Sequence, residues 1–218
     1  MGYCMKKSRF DKLAPWYHFL ETISFGNQLQ QCRISQLAEL SAVKNVLILG
    51  DGNGRFLESL LKSTDNSEIE SIDISRNMIE LANTRITSLP NSSKVIFIHS
   101  DVFDWDFPKF KYDLVVTNFF LDCFTYPELK NLIEKVSLSL KPEGKLIYGD
   151  FNVPNSFCKK TLTSLLLFGM YLFFRIFTRI SANSLHDPTS LLIENKFILK
   201  NEKYYLWSFL KSQLWIKN

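Results

Sequence analysis

The sequence predicts an α/β protein built on a largely parallel β-sheet that is flanked by helices. From Val46 onward, short aliphatic and β-branched runs alternate with stretches of helical periodicity, which is typical of βα units. A glycine-rich turn from Gly50 to Gly54 joins the first run to a helical stretch, and acidic residues follow the second and third runs. The 218 residues are enough for one globular unit with a sizeable core.

The first 44 residues precede this alternation and are expected to be helical. Apolar side chains recur at steps of three and four in two sets, which are Phe10, Leu13, Tyr17 and Leu20, and then Leu29, Cys32 or Arg33, Leu37 and Leu40. We therefore divide the chain into an N-terminal helical part, residues 1–44, and a sheet-bearing part, residues 45–218.

Five strands are expected in the second part, at Val46–Leu49, Glu70–Ile74, Lys94–His99, Tyr112–Thr117 and Lys145–Asp150. Two of the intervening helices have apolar faces formed by Phe56, Leu57, Leu60 and Leu61, and by Met78, Ile79, Leu81 and Ala82. A third helix, Thr125–Leu140, starts with capping-box spacing and is ended by residues 141–144. A short helix at Asp187–Asn195 and an antiparallel pair, Phe197–Tyr204 and Leu206–Ile216, complete the chain.

The region 162–179 is strongly apolar. The run Thr161–Phe174 has no charged residue, but it is shorter than the roughly 20 residues that cross a bilayer. A core helix, a wall of an apolar pocket and a peripheral membrane contact that involves Arg175 and Arg179 all remain open.

Composition argues against several classes of function. The net charge of +4 is spread along the chain, which does not favour nucleic-acid binding. Four cysteines without zinc-ligand spacing and only three histidines give no support for a metal site. Reduced thiols and the lack of a signal-peptide pattern lead us to expect a cytoplasmic protein.

The glycine turn indicates the chemistry. Glycines let a backbone approach a ligand closely, and the following helix offers free N–H groups to polar atoms, so a nucleotide-like ligand is expected. The spacing is GxGxG, since Arg55 stands where a dinucleotide fingerprint has its third glycine. Asp73 at the end of the second strand can accept hydrogen bonds from a ribose, and Asp101 after the third strand can bind an adenine edge.

The segments VLILGDGNGRFL, SIDISRNMIELA, HSDVFDW and YDLVVTNFFLD resemble, in this order, the binding motifs of class I S-adenosylmethionine-dependent methyltransferases. The resemblance covers about Val46 to Phe151 and implies a Rossmann-like seven-stranded methyltransferase sheet, with five parallel strands and a terminal antiparallel pair. It implies S-adenosyl-L-methionine as the cofactor. The residues that we expect to bind the cofactor are Gly50, Asp51, Gly52, Gly54, Asp73, Ile74, Ser75, Met78, Asp101, Val102, Asn118 and Phe119.

The stretch Arg9–Gly26 looks like the opening of the ubiquinone/menaquinone C-methyltransferases, whose N-terminal helices cover the cofactor as a lid. Tyr17 matches a tyrosine of that group, whereas His18 stands where the group usually has Asp. This resemblance implies that residues 1–44 form a lid.

One position departs from the class I pattern. Ile48 occupies the place of an acid that helps to hold the methionine amino group, and Asp51 lies between the first two glycines instead. Asp51 is expected either to replace that carboxylate or to hold the turn. An aminopropyltransferase that uses decarboxylated S-adenosylmethionine, a nucleotide-dependent oxidoreductase and a non-catalytic cofactor-binding relative remain alternatives.

Methyl transfer needs chiefly the positioning of two reactants, although some acceptors require a base. The candidates for contact with the acceptor are Tyr17, His18, Asp122 and Asp150. The acceptor is expected to be a small, apolar or aromatic molecule, because aromatic residues are frequent after the fifth strand. Its identity and the oligomeric state are left open.

Overall fold

The computed structural model describes residues 27–40, 43–64, 67–152 and 185–218. The expectations for Tyr17, His18 and the region 162–179 lie outside these residues. No helix within the described ranges is both long and apolar enough to cross a membrane.

The described residues form seven strands and five α-helices. The strands are β1 (Asn45–Leu49), β2 (Glu68–Asp73), β3 (Val95–His99), β4 (Tyr112–Asn118), β5 (Leu140–Phe151), β6 (Phe197–Tyr205) and β7 (Leu210–Lys217). The helices are α1 (Gln28–Ile34), α2 (Arg55–Ser63), α3 (Arg76–Ile86), α4 (Tyr126–Ser139) and α5 (Thr189–Glu194). Short 3-10 turns occupy Leu37–Glu39, Ser92–Lys94 and Leu121–Cys123.

All seven described strands belong to one sheet, in the order β3-β2-β1-β4-β5-β7-β6. The pairings among β1 to β5 are parallel, and β7 is antiparallel to both β5 and β6. This confirms the predicted sheet of five parallel strands with a terminal antiparallel pair. The carboxyl ends of β1 to β5 and the start of β7 therefore meet at one edge, which we call the carboxyl edge.

The sheet separates two hydrophobic cores. Leu47 and Leu49 of β1 pack on one face, and Val46 and Ile48 pack on the other, as the two-residue period of a strand requires. The predicted apolar face of α2 is buried in the second core, against β1 and β4. Because both faces of β1 are covered, the sequence before the glycine turn is continuously apolar.

Several element boundaries differ from the expectations. Helix α4 ends at Ser139, and β5 already includes Lys141–Gly144, with Glu143 at a φ of +60°. The last strand begins at Leu210 rather than Leu206, since residues 206–208 have positive φ and form the turn of the hairpin. In α3 the buried residues are Met78, Ala82 and Ile86, whereas Leu81 is exposed.

The second N-terminal helix is also shorter than its apolar period suggested. Helix α1 ends at Ile34, after burying Leu29, Cys32 and Arg33. The amide of Gln36 is fully buried and donates to the Ser212 carbonyl of β7, at 3.1 Å. This tertiary hydrogen bond accompanies the change from α-helix to a 3-10 turn.

Candidate active site at the carboxyl edge

The three glycines of the turn after β1 have left-handed backbones, with φ of +66° at Gly50, +62° at Gly52 and +78° at Gly54. A Cβ at Gly54 would lie 2.8 Å from the Cα of Ala82 on α3, and a Cβ at Gly50 would collide with the Phe120 ring. At Gly52 it would meet only the Met78 sulfur, at 3.9 Å. Two glycines therefore allow close packing inside the protein, and Gly52 has space beside it.

The Asp51 side chain is directed back onto α2. Its Oδ2 accepts the Leu57 N–H at 2.9 Å and its Oδ1 accepts the Phe56 N–H at 3.2 Å. Burial raises the pKa of this carboxyl to about 6, against the opposing effects of the Leu57 N–H and of the nearby Arg33. Of the two roles expected for Asp51, the contacts support holding the turn, and its role toward a cofactor stays a prediction.

Asp73 connects the ends of two neighbouring strands. Its Oδ2 accepts the Gly52 N–H at 3.3 Å, and its Oδ1 accepts the Ser75 N–H at 2.8 Å. Ser75 in turn caps α3, where its hydroxyl accepts the Met78 N–H at 3.3 Å. The half-buried Asp73 carboxylate therefore lies beside the open glycine.

The ends of β2 and β3 also approach each other. A ring nitrogen of His99 lies 3.1 Å from the Ile74 carbonyl oxygen. Asp101 follows β3, is buried together with Val102, and accepts the Phe103 N–H at 3.0 Å. Asp101 therefore lies on the same edge as Asp73, as the sequence predicted.

Asn118 and Phe119 end β4 at this edge. The Phe119 N–H donates to the Gly149 carbonyl of β5 at 2.7 Å, and Phe119 has a positive φ of 53°. The Phe119 ring lies 5.1 Å from the Arg33 guanidinium carbon and 5.3 Å from the Phe151 ring centroid. Asn118 is buried, and its Oδ1 has no hydrogen-bond partner.

Two acids lie near the ends of β4 and β5. The half-buried Asp122 follows β4, and the buried Asp150 lies near the end of β5. Asp150 is 1% exposed; its Oδ1 accepts the Phe151 N–H at 2.8 Å, whereas its Oδ2 has no hydrogen-bond partner. Burial and the Asp122 charge raise the pKa of Asp150 well above its usual range. Burial also raises the pKa of Asp122, to about 6, and the Cys123 thiol lies 3.6 Å from Asp122 Oδ1.

Lys211 is a buried residue at this edge that the sequence did not single out. It lies opposite Asp150 in the β5–β7 register, and its Nζ is 3.1 Å from Asp187 Oδ2. The same ammonium group lies 5.3 Å from the Tyr148 ring centroid. A charged residue within an apolar strand was the available signal, but its position depends on the pairing of β7 with β5.

One cavity of about 360 Å³ lies at the opposite edge, where the amino ends of β1 to β4 line it. Glu70 accepts hydrogen bonds there from Lys111 and Tyr112. None of the site residues expected from the sequence lines this cavity. Among the described residues, no group of three or more His, Cys, Asp or Glu is arranged to hold a metal ion.

Comparison with known proteins agrees with this geometry. A family model described as a methyltransferase domain matches residues 46–144, from β1 to the start of β5. A solved structure, the N-methyltransferase NodS of Bradyrhizobium japonicum in complex with S-adenosyl-L-homocysteine, superposes with a TM-score of 0.68 at 17% identity, over 99% of this chain and 97% of NodS. Residues 46–144 therefore match a methyltransferase domain, and the chain shares the fold of NodS.

Two curated methyltransferases are more similar in sequence. A malonyl-[acyl-carrier protein] O-methyltransferase of Priestia megaterium is 30% identical over 149 residues, which are 66% of this chain and 50% of that protein. Malonyl-[acyl-carrier protein] O-methyltransferase 2 of Ilyobacter polytropus is 33% identical over 112 residues, 50% of this chain and 40% of that protein. The chain thus spans half or less of the length of these two methyltransferases.

The carboxyl edge fits S-adenosylmethionine on two observations. The backbone at Gly52 can be approached, because a side chain there would meet only Met78 Sδ. The buried Asn118 Oδ1 is an acceptor without a donor, and such atoms are rare in folded proteins. A ligand that supplies a hydrogen-bond donor would satisfy it.

Proposed function

We propose that this methyltransferase transfers a methyl group from S-adenosylmethionine to a small, apolar or aromatic acceptor. The observation that carries the proposal is the convergence at the carboxyl edge of the open Gly52 turn, the Asp73 carboxylate and Asp101. In open α/β sheets, ligands bind beyond the carboxyl ends of the strands. Residues 1–44 are proposed to cover this edge as a lid.

The cofactor would be held by residues from four successive strand ends. The Asp73 carboxylate would accept the ribose hydroxyls, with Ile74, Ser75 and Met78 near the adenosine. Asp101 and Val102 would bind the adenine, and Asn118 and Phe119 would lie near the sulfonium. The bound cofactor supplies a methyl group on a positively charged sulfur.

The chain's own contribution is positioning and, for an acceptor that loses a proton, a base. Burial raises the pKa of Asp122 to about 6, so this carboxylate is mainly ionised at neutral pH and can accept a proton. Burial and the Asp122 charge keep Asp150 protonated to a higher pH, because its pKa is raised further. Asp122 is therefore the better base of the two.

The aromatic side chains around this edge support an apolar or aromatic acceptor. Phe119, Phe151 and Phe209 form successive ring contacts at 5.3 and 5.4 Å. Phe120 and Phe124 form a second contact at 5.0 Å after β4. Tyr17 and His18 would complete the acceptor side from the lid.

The test compares ligands on the whole chain by thermal unfolding. S-adenosylhomocysteine at about 100 times its dissociation constant should add roughly 2.7 kcal/mol to the free energy of unfolding. Decarboxylated S-adenosylmethionine and NAD should stabilise the protein much less. Stabilisation by NAD alone would contradict the proposal, whereas preference for the decarboxylated donor would favour an aminopropyltransferase.

The ribose-binding role of Asp73 is tested with the variant Asp73→Ala and with the more conservative variant Asp73→Asn. Loss of the carboxylate should weaken S-adenosylhomocysteine binding about tenfold or more, since hydrogen bonds to a charged group each contribute about 1.5–3 kcal/mol. Calorimetry gives the affinity, and unfolding without ligand separates this loss from damage to the turn. Unchanged affinity in both variants would exclude a ribose-binding role.

A further inference from the structure

Asp122 and Asp150 are two acids at the carboxyl edge that come from neighbouring elements. Asp122 lies in the 3-10 turn Leu121–Cys123, which packs against β5, and Asp150 lies near the end of that strand. Burial and the charges of Asp122, Asp150 and Asp73 raise the pKa of the Cys123 thiol well above its usual range. Asp122 and Asp150 therefore lie beside the same half-buried side chain, close enough for their charges to interact.

Asp150 has one carboxyl oxygen without a hydrogen-bond donor among the described residues. The residue is 1% exposed, and its Oδ1 accepts the Phe151 N–H at 2.8 Å, whereas its Oδ2 accepts no hydrogen bond from any described residue. Buried acceptors of this kind are rare, because an unsatisfied buried polar group destabilises the folded protein. Asp150 Oδ2 therefore suits a ligand that supplies a donor.

Lys211, which lies opposite Asp150 in the β5–β7 register, is paired with another acid. Its Nζ lies 3.1 Å from Asp187 Oδ2. Burial and the Asp122 charge raise the pKa of Asp150 well above its usual range, and the Lys211 charge opposes them only in part. Asp122, Asp150 and Asp187 thus share one ammonium group, so a further cation is favoured here and an anion is disfavoured.

Aromatic rings flank both acids. Phe119 follows β4 and Phe151 is the last residue of β5, and their ring centroids are 5.3 Å apart. Phe120 and Phe124 lie on either side of the turn that carries Asp122, with ring centroids 5.0 Å apart. The faces of such rings attract cations, and the attraction increases when the cation is removed from water. Acids between aromatic rings therefore suit an organic ammonium group.

We propose that the acceptor is an aromatic or apolar amine and that Asp122 and Asp150 bind its ammonium group. Asp150 Oδ2 accepts one N–H of the ammonium group, and the Asp122 carboxylate accepts another. This inference rests on the proposed function and names the substrate class of its acceptor site. It assigns the methylation to a nitrogen atom.

The transfer to an amine follows in two steps. The Asp122 carboxylate first takes a proton from the ammonium group, which leaves a neutral amine with a free lone pair. The sulfonium charge of the donor and the apolar surroundings both favour this loss, because each disfavours a second positive charge. The amine nitrogen then attacks the methyl carbon, so that a C–N bond forms while the C–S bond breaks and leaves its electron pair on sulfur. Asp122 releases its proton to solvent.

Matched probes test the charge preference by calorimetry on the full chain saturated with S-adenosylhomocysteine. Phenethylamine, phenethyl alcohol and hydrocinnamate carry the same ring and differ in charge, and tryptamine, tryptophol and indolepropionate form a second series. In each series the amine should bind about tenfold or more tightly than the alcohol, because hydrogen bonds between ions are stronger than those to neutral groups. The carboxylate should bind most weakly.

Asp122→Asn and Asp150→Asn separate recognition of the amine from support of the fold. Each variant keeps the side-chain shape, and each should weaken both amines about tenfold while it changes the alcohols by less than about twofold. Asp104→Asn is the control, since Asp104 is exposed after β3 at the same edge and should change no affinity. With S-adenosylmethionine labelled in its methyl group, wild type should transfer the label to the amines and not to the alcohols.

The opposing results are distinct. Equal affinity for amine and alcohol in both series would overturn the inference, and so would tightest binding of the carboxylates. Equal weakening of amines and alcohols in both Asp122→Asn and Asp150→Asn would show that the acids only support the fold. If no probe binds while S-adenosylhomocysteine does, this inference alone fails. A chain that does not bind S-adenosylhomocysteine would overturn the proposed function as well.

Discussion

Asp51 shows how a single residue within a binding motif can serve the fold. Its position between two glycines invites a role toward the ligand, but its two carboxylate oxygens accept the N–H groups of Phe56 and Leu57. These N–H groups belong to the first turn of α2, where the helix supplies no acceptors of its own. The acid therefore links the end of β1 to the helix that follows it.

Asp51→Ala should lower the free energy of unfolding of the ligand-free chain by about 1–2 kcal/mol, the usual cost of a lost helix cap. Urea unfolding at about pH 4, where the contribution of the buried carboxyl is full, measures the change. Asp106→Ala, at an exposed position, serves as the control and should stay within about 0.5 kcal/mol of wild type. Unchanged stability together with weakened S-adenosylhomocysteine binding would assign Asp51 to the cofactor instead.

The glycine turn is the element that joins β1, α2 and α3. Gly54 has a φ of +78° and permits the backbone of α3 to approach within van der Waals distance at Ala82. Gly52 has a similar φ of +62° but borders open space. The same residue type thus serves helix packing at one position and access to the backbone at the other.

Gly54→Ala should destabilise the protein more than Gly52→Ala does. Both variants incur the left-handed penalty of roughly 1–2 kcal/mol. Only Gly54→Ala adds a clash, with the Ala82 Cα 2.8 Å from the new Cβ, and overpacking of this kind costs about 1–3 kcal/mol more. Equal free energies of unfolding in urea would contradict the close packing of α3 on the turn.

The whole molecule concentrates acids with raised pKa values at one edge. Burial raises the pKa of Asp51 and of Asp122 to about 6, and burial with the Asp122 charge raises that of Asp150 further. Between about pH 4 and 6 the folded chain keeps protons that these side chains lose on unfolding. Their contribution to the free energy of unfolding is therefore full below pH 4 and falls as the pH rises through 6.

Asp122 should make activity and stability change in opposite directions as the pH increases. If Asp122 is the base, kcat rises as the pH increases through about 6, because the carboxylate form accepts the proton. Over the same range the stability of the wild type relative to Asp122→Asn should fall. Activity assays and urea unfolding from pH 4 to 8 test both, and an unchanged pH profile of kcat in Asp122→Asn would exclude Asp122 as the base.

Much of the fold could be predicted because its signals are local. The approximate positions of the strands and the covered faces of β1 follow from apolar periods and from a glycine turn that lie within short stretches of chain. The boundaries that failed, such as the end of α1 at Ile34, depend on contacts like that of Gln36 with Ser212. A local pattern contains no information about such a distant partner.

The residues of the candidate site also differ in whether they could be found from the sequence. Gly52, Asp73 and Asp101 could be found from sequence, because strand ends and turns mark the carboxyl edge of a parallel sheet. The position of Arg33 beside the end of β4 could not be found from sequence, and neither could that of Lys211 opposite Asp150. Each of these positions depends on how remote elements pack. The sequence determined the strands and the edge where we propose that a ligand binds, through periodicity and glycine spacing. Only the tertiary structure decided which acids are engaged with backbone N–H groups and which buried groups face one another, because those relations arise from strand register and helix packing across the whole chain.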